Sequence, residues 1–351
     1  MSTTELEFAT RSTEAAPAQA IEGRSQWQLT MRRLRHDKVA VGSGIVILIM
    51  IALAIAAPAF AALTGHGDTQ QFSNTGISAN GIPVGPGRSF WLGADEQGRD
   101  LLVRILYGGR ISLFVGIVTT AIGAAIGVAV GLAAGYFGGW IDTVLARFVD
   151  AVLAFPYIVL GLALAVVLGP SLPVVMGIIT FFSWAAIARI VRGQTLSIKE
   201  KEYIEAARSV GASPWRIMFI DIMPNLLGPV LVLATLYIPI AIIFEATLSF
   251  LGLGVQPPTP SWGNLLSGAQ NYYSVAWWYL VFPALALLIT TLAFNLLGDG
   301  IRDAMDPRTE RLFAANRGGR GRRRGKGPDD IEPTAPVTGQ LGIGAVPPGG
   351  N

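Results

Sequence analysis

The chain has 351 residues, of which 52% are hydrophobic and only 14% charged, with 42 glycines and a net charge of +3. A soluble domain carries about 25% charged residues because its surface faces water, so this composition excludes an ordinary soluble enzyme and calls for lipid as the outer solvent. Cysteine is absent and the histidines are His36 and His66, which excludes disulfides, thiolate zinc sites and iron–sulfur clusters and nearly excludes histidine-based metal or acid–base centres.

In chain order, residues 1–25 are polar and read as a disordered cytoplasmic tail, too poor in apolar residues to offset the cost of ordering. A spanning helix needs about 20 mostly apolar residues, and six such runs follow: Val39 to Leu63, Ser112 to Tyr136, Ala151 to Leu168, Val174 to Val191, Leu226 to Leu251, and Ala276 to Leu297. Segment 26–63 therefore holds the first span. Residues 64–110 form an extracytoplasmic segment, 111–300 a transmembrane domain with spans two to six, and 301–351 a mostly disordered cytoplasmic tail. The first span starts too far in, and is too long, to be a cleaved signal peptide. Arg189 and Arg192, at the end of the fourth, are placed to snorkel to the headgroups.

Lys and Arg set the orientation. With the first residue inside, the inner flanks 26–38, 137–150, 192–225 and 298–317 hold fourteen of them, and the outer segments only four, Arg88, Arg99, Arg104 and Arg110. Both termini are expected in the cytoplasm. The run Arg320-Gly321-Arg322-Arg323-Arg324-Gly325-Lys326 reads as a solvated anchor on the inner leaflet, with nucleic acid not expected as a partner. It lacks the Ser or Thr that a phosphate-binding loop needs after its lysine. No nucleotide-binding signature occurs in the chain, so any ATP involved is hydrolysed by another one.

Gly123, Gly127, Gly131 and Gly135 recur at a spacing of four, which on a helix makes a smooth face for close packing of another helix. Glu245 falls inside the fifth run, where a carboxylate must face protein or water. It either lines a path or pairs between subunits, or it makes a structural hydrogen bond. Asn295 in the sixth run reads as interhelical glue, with a pore or inter-subunit contact as the alternative. Arg147 and Asp150 are spaced for an ion pair on one helix surface. Arg99, Asp100 and Arg104, among Leu101, Leu102, Ile105 and Leu106, suggest an interfacial outer helix or a contact for a delivering protein.

The segment between spans four and five is the informative one. Helix formers lead to Gly211, suited to a left-handed residue closing a helix. Ser213 and Pro214 suit the start of a second helix exposing Trp215, and Pro224 is expected to end it before the membrane. Here the chain resembles the permease subunits of ATP-binding-cassette (ABC) importers. Their hallmark of EAA, three residues, Gly, nine residues, I-x-L-P is matched by Glu205-Ala206-Ala207, Gly211 and Pro224, with Asp221 at the Ile position and Met223 for Leu. Three further stretches are similar to the C-type subunit of the dipeptide/oligopeptide/nickel branch. These are Leu92-Gly93-Ala94-Asp95-Glu96-Gln97-Gly98-Arg99-Asp100, then Gly135-Tyr136-Phe137-Gly138-Gly139-Trp140-Ile141-Asp142, and the stretch from Glu245 to Gly254 leading on to Gly298–Pro307.

The resemblance, which covers roughly residues 27–308, implies an all-α integral membrane protein of the bacterial plasma membrane: a type I ABC importer permease bundle of six transmembrane helices with a cytoplasmic coupling helix. Residues 199–221 would be that helix, with Glu205, Ala206, Ala207, Gly211, Trp215 and Pro224 its docking positions. The implied partners are a homologous second permease, two ATPase domains carrying ATP and Mg, and an extracytoplasmic substrate-binding protein. The chain would hold no cofactor and be no enzyme. The implied cargo is di- or oligopeptides, with nickel or glutathione as alternatives inside the family. The rival class is a secondary transporter with Glu245 as proton relay, for which no inverted repeat or broken helix at the membrane midplane is found in the sequence. An intramembrane hydrolase lacks a nucleophile and its base.

Overall fold

The structure, a computed structural model, describes residues 26–305. Both tails, with Arg308, Arg311, Arg317 and the run 320–326, lie outside the described residues. The regular elements among the described residues are helices, with a non-helical segment at 65–100 that holds two isolated β-bridges, Ile77 with Pro83 and Ala94 with Asp100.

A short helix α1 (Gln26–His36) leads into α2 (Lys38–Ile55), whose first turn is capped by Asp37 accepting from the Val39 and Ala40 amides at 2.9 and 3.3 Å. The first apolar run is broken at Ala56, and α3 (Ala57–Thr64) restarts with Pro58 in its first turn. Then come the long α4 (Leu101–Phe137), α5 (Gly139–Ala154), α6 (Tyr157–Leu168), α7 (Leu172–Lys199), α8 (Glu202–Ser209), α9 (Pro214–Phe250), α10 (Trp262–Ala269) and α11 (Trp277–Met305). Helices α2, α4, α7, α9 and α11 are each long and apolar enough to cross a bilayer, and the bent pair α5–α6 is so when taken together, which makes five crossings, or six if that pair is one span. Helix α4 starts eleven residues before the second apolar run, and α11 runs on to Met305, past the boundary expected at residue 300.

Two expectations fail at proline, in opposite ways. The third run, expected as one helix from Ala151, is bent by 82° between α5 and α6. Phe155 is extended (φ −82°, ψ 136°) ahead of Pro156, as the proline ring demands of the residue before it. Pro224 was expected to stop a helix, yet α9 passes straight through it. A π-helical stretch, Ile217–Ile222, ends two residues before it, so the backbone is already off the regular α-helical bonding pattern where proline lacks its donor.

The four glycines of α4 lie against α7. Gly123 meets Ser183, Gly127 meets Ile187, Gly131 meets Ala188 and Val191, and Gly135 meets Thr195. Both series climb together, so the two helices run parallel. A methyl group at Gly131 would sit 2.5 Å from the Ala188 carbonyl oxygen, and one at Gly127 2.8 Å from that of Trp184. Close backbone approach without side chains is how helices associate where lipid removes the hydrophobic drive.

Candidate functional site

The loop between α7 and α9 is built by capping chemistry. Helix α8 ends at Ser209; Gly211 takes φ +81°, its amide donates to the Arg208 carbonyl (2.9 Å), and the Ala212 amide reaches back to Ala207 (3.0 Å). This paired closure wants a left-handed residue between the two donors, and glycine takes that conformation without a Cβ penalty. Ser213 then caps α9, accepting from the Arg216 amide at 3.4 Å, with Pro214 in the first turn.

The loop has two faces. Ile204 is fully buried in a cluster with Leu132 of α4, Ile187, Val191 and Ile198 of α7, and Ile217, Met218, Ile222 and Leu226 of α9. The other face presents Tyr203, Glu205, Val210 and Trp215. Val210 is 85% exposed and Trp215 64%, and the Trp215 ring stacks on Phe219 with centroids 5.8 Å apart. Ala206, Gly211 and Pro224 are also exposed and Ala207 half-buried. The capped turn thus carries bare apolar side chains, Val210 and Trp215, on the same short loop as the exposed Glu205 carboxylate. Asn225 donates to the Tyr203 hydroxyl (3.4 Å) and the Asp221 carbonyl (2.8 Å). Partial burial, with Asp221 near, pushes the Tyr203 phenol up.

Glu245 sits five residues from the end of α9, far from the middle of that helix, and is fully buried inside this subunit. Its oxygens accept from Ser112 of α4 (2.8 Å) and Ser249 (2.7 Å). Those hydroxyls accept in turn from the Trp262 amide (3.4 Å) and the Val255 amide (3.0 Å). The carboxylate thus ties α4, α9 and the start of α10 together. Asn295 is exposed and makes no hydrogen bond among the described residues.

At the end of the bundle away from the loop, residues 65–100 fold as a cap. Arg99, Asp100 and Arg104, expected on an interfacial helix, are buried instead. Asp95 accepts from the Arg99 Nε (2.6 Å) and from the amides of Gln97 and Arg99 (2.9 Å each), with Arg104 Nε 3.0 Å away. Arg104 also donates to the carbonyls of Asp68 (2.9 Å) and Pro258 (3.3 Å). Asp100 caps α4 through the Leu102 and Val103 amides and holds the His66 ring at 2.7 Å. Burial and the neighbouring Asp95 push the Glu96 carboxyl up, against the pull of Arg99 and Arg104.

Two ion pairs also differ from expectation. Asp150 bonds Arg189 of α7 (2.6 Å) in place of Arg147, and Asp142 bonds Arg192 of α7. Both arginines therefore join α5 to α7. Where α5 bends into α6, a cavity of about 300 Å³ opens, lined by Phe155, Tyr157, Phe182, Tyr237 and Phe244 among others. Sequence reasoning missed Ile204, whose periodicity in so short a helix is invisible, and the Asp95–Arg104 pair, whose partners come from different elements.

Residues 127–311 match the family described as the binding-protein-dependent transport system inner membrane component, and residues 25–77 the N-terminal transmembrane domain of oligopeptide transport permease C. The chain is 44% identical over 288 residues to the oligopeptide transport system permease protein OppC of Escherichia coli K12, covering 82% of this chain and 93% of that one. It is 41% identical over 285 residues to the glutathione transport system permease protein GsiD of Pectobacterium atrosepticum, covering 81% and 92%. A solved structure of the MetNI methionine ABC transporter, inward facing, superposes with TM-score 0.47 at 23% identity, over 57% of this chain and 96% of that one. The chain belongs to the binding-protein-dependent inner-membrane transport components, the permease subunits of ABC importers. It is a multi-pass membrane protein, and the secondary-transporter reading falls with that membership.

Proposed function

We propose that this chain is the C-type permease of an ATP-driven importer for di- and oligopeptides, forming half of the translocation pore beside a homologous permease. The observation that carries the mechanism is the capped loop 199–221, whose exposed Trp215, Val210 and Glu205 await a docking partner. That partner is a pair of ATPase domains holding ATP and Mg, while an extracytoplasmic binding protein delivers cargo to the opposite end. The chain is not itself an enzyme. The charge asymmetry places both termini in the cytoplasm of a bacterial cell and the loop with them.

Closure of the ATPases pushes the loop and biases the bundle between outward-open and inward-open states, a population shift. The peptide assignment is supported by the printed names of the relatives, one of which transports glutathione, itself a short peptide. The test is uptake into proteoliposomes holding the whole complex and its binding protein, offered labelled dialanine, trialanine, glutathione or nickel. ATP-dependent uptake of the alanine peptides is expected. Uptake driven by a proton gradient without ATP would overturn the mechanism, and exclusive uptake of nickel would overturn the cargo.

A further inference from the structure

We propose that Tyr136, at the end of α4, is a coupling residue: with Arg208 it clamps α8 to the α4–α7 pair, so that a push on the loop moves the bundle. This deepens the docking reading and rests on it.

The need for a clamp follows from the connections. Helix α8 joins α7 through Glu200 and Lys201 alone, and joins α9 through Val210–Ser213. A helix held only by such short links would swing when pushed, and the hinge would absorb the motion. Helices α4 and α7, by contrast, are packed backbone to backbone along the whole glycine face.

Two side chains of α8 bridge it to that pair at the last turns of α4, and Lys199, the last residue of α7, ties the pair together beside them. The Arg208 guanidinium lies 5.7 Å from the Tyr136 ring centroid, a cation–π contact. Lys199 Nζ donates to the Gly135 carbonyl at 3.0 Å, placing a cation at the negative end of α4. Ile204 plugs the cluster that also holds Leu132, with Tyr136 packed against it. Tyr136 alone belongs to both the polar and the apolar part of this joint, and it is not on the docking face.

The test uses the assembled importer in proteoliposomes, measuring labelled trialanine taken up per ATP hydrolysed. Tyr136→Leu keeps apolar bulk but removes the ring. It should leave ATPase co-purification and ATP hydrolysis as in wild type and lower the coupling ratio about two- to fivefold, the factor equivalent to an exposed cation–π contact. Tyr136→Phe, which keeps the ring, should retain the wild-type ratio. Arg208→Met should lower the ratio similarly, and the double variant should be no worse than either single one.

An unchanged ratio in Tyr136→Leu overturns the clamp while leaving the docking reading intact. If that variant does not accumulate, Arg208→Met decides: a lowered ratio with ATPase chains still bound supports the clamp, and an unchanged ratio, or loss of those chains, overturns it. A wild-type complex that binds no ATPase chain overturns the docking reading and the clamp with it.

Discussion

The two ends of the bundle solve opposite problems. The cap over residues 65–100 draws charged groups inside and pairs them, with Asp95 bonding Arg99 and two backbone amides and facing the Arg104 guanidinium. The loop over 199–221 turns apolar groups outward and leaves Trp215 and Val210 bare. A region complete in itself spends its polar groups on its own interior, whereas a region built for a partner leaves apolar area for that partner to cover. The cap is therefore expected to fail through stability, and the loop through assembly and transport.

The sharpest way to break the contrast is at the cap. Arg104→Ala empties the space of a fully buried side chain and orphans the Asp68 and Pro258 carbonyls while Asp95 keeps Arg99, and large-to-small changes at buried sites cost about 2–5 kcal/mol. Low membrane levels and a lowered melting temperature in detergent are expected. Normal levels would show that the cap is not internally held.

Next comes the face joining the two ends. Gly131→Val drives side-chain atoms into the Ala188 carbonyl and Val191, and overpacking of this kind costs about 1–3 kcal/mol. The same melting assay should show a smaller drop, with transport impaired in what survives. Full activity would mean that α4 and α7 separate without consequence.

At the loop, Gly211→Val puts a β-branched residue at φ +81°, a strain of about 1–2 kcal/mol borne by a turn the membrane-embedded helices do not need. Membrane levels should stay normal, ATPase co-purification should weaken, and uptake should be lost. Retained ATPase binding would reduce the loop to an interfacial helix.

Glu245→Gln is expected to do less. A neutral amide still accepts from one serine and donates to the other, so stability should fall by no more than about 1 kcal/mol and uptake at equal expression should hold. Loss of uptake at unchanged stability would restore a role in the path.

The smallest effect concerns Glu96. Its carboxyl is held above the ordinary range by burial and Asp95. The folded protein therefore binds its proton more tightly than the unfolded chain. The stability this lends is full below the ordinary carboxylate range and is lost as pH rises through the raised value. Glu96→Gln should flatten that decline in a melting series from pH 4 to 8. A profile parallel to wild type would show that Glu96 does not titrate on folding.

Much of the scaffold was legible in the sequence because a bilayer imposes one crude demand, a run of apolar residues long enough to cross it. The capped turn at Gly211 and Ser213 was equally legible, since both signals act over a few residues of chain. Pro156 and Pro224 show the limit. Each removes one donor, but whether the helix breaks, as after Phe155, or widens into a π turn, as at Ile217–Ile222, depends on what packs around it. The position of Glu245 was legible, but its partner Ser112 lies 133 residues away.

By itself the sequence determined the membrane class, the apolar runs, the left-handed turn at Gly211 and the glycine face, because each follows from local periodicity or from backbone freedom at one residue. Only the tertiary structure decided that Arg104 is buried on Asp95, that Asp150 pairs with Arg189 and not Arg147, and that Ile204 and Tyr136 tie the loop to α4. Charge pairing and burial are properties of the space between elements, and that space exists only once the helices have packed.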